Sequence, residues 1–317
     1  MKKVVVIGGG TGTFAVLKGL KHYPLELTAI VTTFDSGGST GMLRDEFGTL
    51  PSGDIRRCLV ALVPENGDSV LRDLFNYRFD SGSSLHGHSF GNLFLHALSE
   101  ISGSRIGGIR TAVQLLNCKG NVLPVSIDDA DLCAELLDGQ VIRGETNIDI
   151  PKHSGKIPIK RVFLDPQPMI FEEAYSAIVD ADLIVIGPGD LYTSIIPNTL
   201  VKGFTDSLNE SNGKIAYVLN IMTKWGETND FTASRFAGEM LSYLGKEKLD
   251  YIICNSALLD PKLIENYSTH SSYPVPFDGD ELEPLVGEVV LNDIVNQTDI
   301  IRHDPGKLAR VLVSLCM

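Results

Sequence analysis

Apolar runs such as LIVIG and YIIC are far too short to span a bilayer, which takes roughly twenty residues in a helix. A signal-peptide layout is missing as well: the N-terminal apolar run, VVVI, leads straight into glycines. Cysteine is sparse. Cys58, Cys118, Cys133, Cys254 and Cys316 are odd in number, scattered and without a C-x-x-C pair. That pattern argues against a disulfide scaffold or a zinc ribbon and for a reducing cytosol. Positive charge is short too, with 27 Lys and Arg against 40 Asp and Glu and a net charge of −13. A nucleic-acid backbone or an anionic membrane surface is a poor match for such a chain. Small anions stay open, because a few local arginines hold a phosphate on an acidic protein. No G-K-[ST] follows the opening glycines, no G-x-S-x-G elbow occurs, and no metalloprotease helix is present. The expectation is a soluble cytoplasmic protein with neither nucleic acid as a partner nor membrane insertion.

What is present is an α/β alternation. At 317 residues and 43% hydrophobic content, the chain is long enough to bury a sizeable core. Strands are expected at 4–7, 27–33, 183–186, 215–219 and 251–254. Helices are expected at 13–21, 54–62, 70–75, 92–100, 107–116, 174–179, 233–244 and 306–315. The runs VVVI and LIVI have no polar alternation, as in central strands covered on both faces. The fold class read from this order is α/β and Rossmann-like: a mainly parallel sheet with helices on both faces and a helical and hairpin insertion. No linker or repeat divides the chain, so residues 1–317 read as a single domain. A helical insertion is expected at about 42–117 and a short-strand insertion, a meander at one sheet edge, at about 120–165. The polar, proline-bearing stretch 266–284 reads as a surface excursion.

The first 20 residues run strand, glycine turn, helix. A dinucleotide fingerprint wants G-x-G-x-x-G; Gly8 and Gly10 fit, but Thr13 stands at the third position and the glycine falls at Gly12. The backbone N–H groups of Gly9, Gly10, Thr11 and Gly12 at a helix N-terminus suit a close-approaching anion. A merely tight turn is the alternative. The second loop favours the anion. Asp35 ends the next strand, where dinucleotide folds accept ribose hydroxyls, and Ser36, Gly37, Gly38, Ser39 and Thr40 follow it. Two such loops on adjacent strands predict a ligand cleft at one edge of the sheet.

Further candidates follow along the chain. Asp54 suits an N-cap of the helix after it, while Arg56 and Arg57 oppose the helix dipole there. Those arginines call for an anion nearby or a salt bridge back to Asp54, and Arg44 is another candidate cation. His86 and His88 lack a third metal ligand in the sequence and suit polar packing; His88 is also a candidate ligand contact or proton donor, the helix after it carries Asn92 and His96, and His96 reads as structural. Gly187, Pro188, Gly189 and Asp190 make a third, compact glycine loop. Tyr192, Thr193 and Ser194 behind it either bond a ligand or cap the next helix. Arg302 and His303 precede the last helix, where Asp304 offers an ordinary N-cap. Asp35, Asp54 and Asp190 also suit a divalent ion bridging phosphates. No nucleophilic constellation is legible, so the catalytic residues stay unassigned.

The ordered set GGGTG, TTFDSGGSTG, GDIRRCL, YRF, HGHSFGNL, GETNID, ADLIVIGPGDLYTSIIPN and IIRHD resembles the YvcK-type gluconeogenesis-factor family. That family is related to CofD, the 2-phospho-L-lactate transferase, and the resemblance runs over essentially the whole chain. It implies a nucleotide cleft at the carboxyl ends of the strands. The implied ligand is a UDP-sugar such as UDP-N-acetylglucosamine, with NAD-like dinucleotides able to occupy a similar cleft. The implied contacts are Gly9, Gly10, Thr11, Gly12, Asp35, Ser36, Gly37, Gly38, Ser39, Asp54, Arg56, His88, Asn92, Gly187, Gly189, Asp190, Tyr192, Thr193, Ser194 and Arg302. The only metal it suggests is Mg²⁺ near Asp35. A homo-oligomer and regulatory protein partners are both compatible with it.

Two functions from different classes follow. One is a ligand-sensing regulator of cell shape and envelope synthesis during gluconeogenic growth. The other is a transferase moving a 2-phospho-L-lactyl group from a nucleotide donor to a deazaflavin acceptor, with Mg²⁺ and Asp35 organising the phosphates. An NAD dehydrogenase fits least, given the broken fingerprint.

Overall fold

The computed structural model describes residues 1–37, 52–65, 69–79, 85–151 and 154–316. Gly38, Ser39, Thr40 and Arg44 lie outside the described residues, as does part of the expected helical insertion.

Seven parallel strands form the main sheet, in the order β10-β9-β8-β7-β1-β2-β3. They are β1 (Lys2–Gly8), β2 (Leu25–Val31), β3 (Asn121–Pro124), β7 (Leu183–Ile186), β8 (Lys214–Val218), β9 (Leu249–Asn255) and β10 (Val286–Asn292). The chain builds outward from β1 through β2 to β3, then returns to the other side of β1 at β7 and builds outward again. The order therefore reverses between β1 and β7, the position where open α/β sheets leave a crevice at the strands' carboxyl ends. That moves the cleft expected at a sheet edge to the middle of the sheet: β2 has β3 beyond it, and the partner that matters for β1 is β7.

The apolar strands earn their central places. Alternate residues of β1 enter opposite cores, Val4 and Val6 on one face and Val5 and Ile7 on the other. All four residues of β7 are buried. On the first face lie α1 (Gly10–Leu20), α2 (Gly53–Leu62), α3 (Ser69–Asn76), α4 (Phe90–Ile101) and α5 (Arg105–Leu115), joined by a helix at Pro305–Ser314. Asp304 caps that last helix by accepting from the Lys307 backbone N–H at 2.8 Å.

The stretch expected as one meander divides in two. Residues 121–124 complete the main sheet as β3, while β4 (Asp131–Leu136), β5 (Val141–Arg143) and β6 (Ile159–Asp165) form a separate antiparallel sheet ordered β5-β4-β6. Its Leu132, Ala134, Val162 and Leu164 share the core of Val5 and Ile7. Between β5 and β6 lies a short helix, α6 (Glu145–Asp149), which the sheet carries toward the crevice. The expected excursion at 266–284 is also more ordered than its composition suggests. Helix Pro261–Ser268 reaches into it, and Leu282 is fully buried. A two-stranded ribbon, β11 (Val295–Asn296) with β12 (Arg302–His303), stands over the carboxyl end of the sheet. No helix among the described residues is long and apolar enough to cross a membrane.

Candidate functional site

The crevice is a cleft of two lobes. The larger, about 640 Å³, lies under the β11–β12 ribbon and is walled by Phe14, Ala15, Ile221, Met222, Tyr267 and Ile301, with Asn220, Arg302 and His303 among its polar groups. The second, about 450 Å³, is polar: Asp35, Asp54, Asn92, Glu145, Thr146, Asp149, Thr193 and Ser194 line it together with Arg78. Thr11, Arg56, Arg57 and Asp190 belong to both lobes and mark their junction. Both volumes fall in the range of about 300–1,000 Å³ usual for small-molecule sites.

The glycine loop at the junction has internal reasons for its composition. Gly10 sits at φ +67°, in the left-handed region. A Cβ at Gly9 would collide with Oδ2 of Asp54, and one at Gly12 with the carbonyl oxygen of Pro188. Asp54 accepts from the Gly10 backbone N–H and from Arg57 Nη1 at 3.2 Å. The chain thus sets its own carboxylate at the N-terminus of α1, where a dinucleotide fold seats a pyrophosphate. Asp54 does not cap its own helix: α2 begins at Gly53 and Ser52 holds the N-cap position. Burial raises the Asp54 pKa, opposed by Arg57 and the Gly10 N–H.

The two arginines that the sequence set against a helix dipole have different fates. Arg57 takes the salt bridge back to Asp54. Arg56 is buried at 7% exposure and donates to Asn92 Oδ1 at 3.1 Å, Phe75 O at 3.1 Å and Asn76 Oδ1 at 3.0 Å. It ties α2 to α3 and α4 through neutral acceptors. Burial, then the charges of Arg57 and Arg78, lowers its pKa to about 10.

Asp35 turns its own loop, accepting from the Gly37 N–H at 2.8 Å. Ser36 anchors that loop to α6: its Oγ accepts from the Thr146 N–H at 3.2 Å. The anchor brings Glu145 against Asp35, and the two carboxyl groups share a hydrogen bond. Burial first, then the charges of Asp35 and Asp149, pushes the Glu145 pKa up to about 8. At neutral pH one proton therefore rests between these groups.

Among the expected contacts, Gly10, Thr11, Gly12, Asp35, Gly37, Asp54, Arg56, Asn92, Gly189, Asp190, Thr193, Ser194 and Arg302 line one lobe or both. Others stand behind the surface. Gly9 is packed on Asp54. Gly187, at φ +73°, packs against Ile195. His88 is buried and lines neither lobe. Tyr192 is buried and its hydroxyl donates to Glu239 Oε1 at 2.9 Å, away from the cleft. Burial followed by that carboxylate raises the Tyr192 pKa. His303 is held by a hydrogen bond from Nε2 to the Leu219 carbonyl at 3.1 Å, and burial lowers its pKa to about 4.

Sequence reasoning left several cleft groups without a role. Glu145, Thr146 and Asp149 lie within the stretch GETNID, whose place beside Asp35 depends on how a separate sheet docks. Lys224 was not singled out at all. Its ammonium lies among Asp149, Asp190 and Glu227, 2.8 Å from Asp190 Oδ2 and 2.9 Å from Glu227 Oε1. The signal for it was faint: a lone lysine six residues past the end of β8.

Comparison with known proteins agrees with the fold. Residues 4–295 match the family model described as 2-phospho-L-lactate transferase CofD. The chain is 41% identical over 315 residues to the gluconeogenesis factor of Bacillus subtilis, covering 99% of this chain and 98% of that protein. A putative gluconeogenesis factor of Nostoc is 43% identical over 314 residues, 98% of this chain and 68% of the relative. A crystal structure of a Bacillus halodurans protein superposes with a TM-score of 0.93 at 38% identity, covering 98% of this chain and 99% of that one.

Proposed function

The chain belongs to the CofD family, alongside the gluconeogenesis factors, and on that premise we propose that its cleft binds a UDP-sugar of the UDP-N-acetylglucosamine kind. In this reading the protein is a cytoplasmic regulator that couples carbon status to cell shape and envelope synthesis. The observation that carries it is the two-lobed cleft itself, at the β1/β7 reversal, with cationic groups on both sides of the junction. Arg302 faces the larger lobe, and among the described residues no carboxylate lies within ion-pair distance of it. Arg57 and Arg78 face the polar lobe. A diphosphate at Thr11 lies between them, a base suits the walls of Phe14, Met222 and Tyr267, and a sugar suits the hydroxyls and carboxylates of the polar lobe.

The Asp35–Glu145 pair favours one second reading, a transferase of the CofD kind. There Mg²⁺ held by Asp35 would supply charge neutralisation on the transferring phosphate. The residues fit such an ion: two carboxyl groups in contact, one kept protonated, both on the cleft wall.

Calorimetry against UDP-N-acetylglucosamine, NAD⁺, GDP and GTP, followed by a turnover assay on any binder, separates the two. Micromolar binding of the UDP-sugar without consumption is the expected result. Asp35→Ala and Arg302→Ala should each weaken it by roughly 1–3 kcal/mol, the scale of a charge-assisted hydrogen bond. Unchanged affinity in both variants would place the site elsewhere. Mg²⁺-dependent loss of a lactyl-nucleotide donor in the presence of a deazaflavin acceptor would overturn the regulator.

A further inference from the structure

Three carboxylates converge beside the junction of the two lobes, of which Asp190 lines both, Asp149 the polar lobe and Glu227 neither. Asp190 comes from the loop after β7, Asp149 from the end of α6, and Glu227 from the segment after β8. One oxygen from each lies within 4.8 Å of the others. Such a set needs a proton or a cation inside it, and burial raises the Glu227 pKa to about 7. The cation is the Lys224 ammonium, which pairs with all three. Glu227 is fixed from behind, accepting from Thr193 Oγ1 at 3.1 Å and from the Tyr192 N–H at 3.2 Å. Its side chain is fully buried. The neighbouring residues lock the same segment to the connection between α6 and β6: Asn229 donates to the Gly155 carbonyl at 2.6 Å, and Gly226 approaches Pro151 too closely for a Cβ.

We infer that Lys224 is a positioning residue, a built-in cation that fills the place a divalent metal would take among Asp149, Asp190 and Glu227. It joins α6, which carries Glu145 and Thr146 into the polar lobe, to the β7 loop at the junction. The cluster therefore needs no metal, and any Mg²⁺ the cleft uses binds elsewhere. Only the effect on the nucleotide rests on the proposed UDP-sugar site; the cation substitution stands apart from it.

The test is Lys224→Ala, in which three carboxylates remain and the ammonium is gone. Mn²⁺ binding is counted by electron paramagnetic resonance and calorimetry on the full chain. The variant should bind one more Mn²⁺ than wild type. Its melting temperature, lowered in EDTA, should rise with Mn²⁺ well beyond any rise in wild type. UDP-N-acetylglucosamine affinity should fall at least tenfold in EDTA and recover with Mn²⁺. A lysine that merely packs would show no metal rescue. A folded variant with no additional Mn²⁺ and no Mn²⁺-dependent gain in melting temperature overturns the inference. If the variant is unfolded in EDTA, recovery on refolding with Mn²⁺ supports it. Failure to recover with Mn²⁺, while Lys224→Arg folds, overturns it. Failure of wild type to bind the UDP-sugar would remove the nucleotide reading alone and leave the Mn²⁺ count to decide this one.

Discussion

Gly9 and Asp54 are in such close contact that a Cβ on the glycine would overlap the carboxylate. Gly12 stands in the same relation to a different kind of atom, the backbone carbonyl of Pro188. The difference decides what each tolerates. At Gly9 the obstacle is the end of a side chain, and the backbone there is extended, at φ −163°. At Gly12 the obstacle is the main chain of the loop that follows β7. Gly12→Ala should cost roughly 1–3 kcal/mol or more of stability, as overpacking a tight contact does. Gly9→Ala should cost less and act chiefly by pushing Asp54 off the Gly10 N–H. Urea denaturation of both variants measures the order; equal losses would mean that the helix–loop approach at Gly12 is not tight.

Arg56 illustrates a buried cation held by neutral acceptors. Removing it strips partners from Asn92, Asn76 and the Phe75 carbonyl together. Hydrogen bonds to charged groups are worth about 1.5–3 kcal/mol, and the loss of several at once is less than additive. Arg56→Ala should therefore cost roughly 2–4 kcal/mol. Arg56→Lys should recover little, since one ammonium cannot reproduce the guanidinium fork. Full recovery by lysine in a denaturation series would show that charge alone matters there.

Glu145 gives the protein an alkaline weakness. Its pKa rises from 4.5 to about 8 on folding, so between those values the folded state holds a proton that the unfolded state has released. Stability from this group then falls as pH rises through that window. Glu145→Gln, which stays neutral and keeps a donor for Asp35, should be more stable than wild type at pH 8. The gap should close as pH drops toward 4.5. Melting curves that stay parallel across this range would show that Glu145 is ionised in the folded protein.

Local features were the legible ones. The run LIVI is β7 at the same bounds, because a strand covered on both faces shows itself in four consecutive apolar residues. Strand β10, reading VGEVVLN, went unread because it is an edge strand with four of its seven residues exposed. The glycines told that backbones come close, and not to what: Gly9 and Gly12 meet Asp54 and Pro188, a carboxylate and a carbonyl supplied by the chain. The site's charges were hardest, since Lys224 meets Asp190 across 34 residues and Asp149 across 75. The meeting with Asp149 depends on how the small antiparallel sheet docks, and no spacing within GETNID states that.

His303 sets the opposite limit on pH. Its ring lines the larger lobe and donates from Nε2 to the Leu219 carbonyl, which leaves Nδ1 without a proton in the neutral ring. Burial lowers its pKa from 6.5 to about 4. Between those values the unfolded chain binds a proton that the folded one refuses, so stability falls as pH drops from 6.5 toward 4. His303→Gln can still donate to Leu219 and does not titrate. Its stability should decline less steeply over this range, by up to about 1.4 kcal/mol per pH unit. The two proteins should converge above pH 7. Equal acid limbs for both would assign the acid sensitivity to other groups and place a charged imidazole in the cleft beside Arg302.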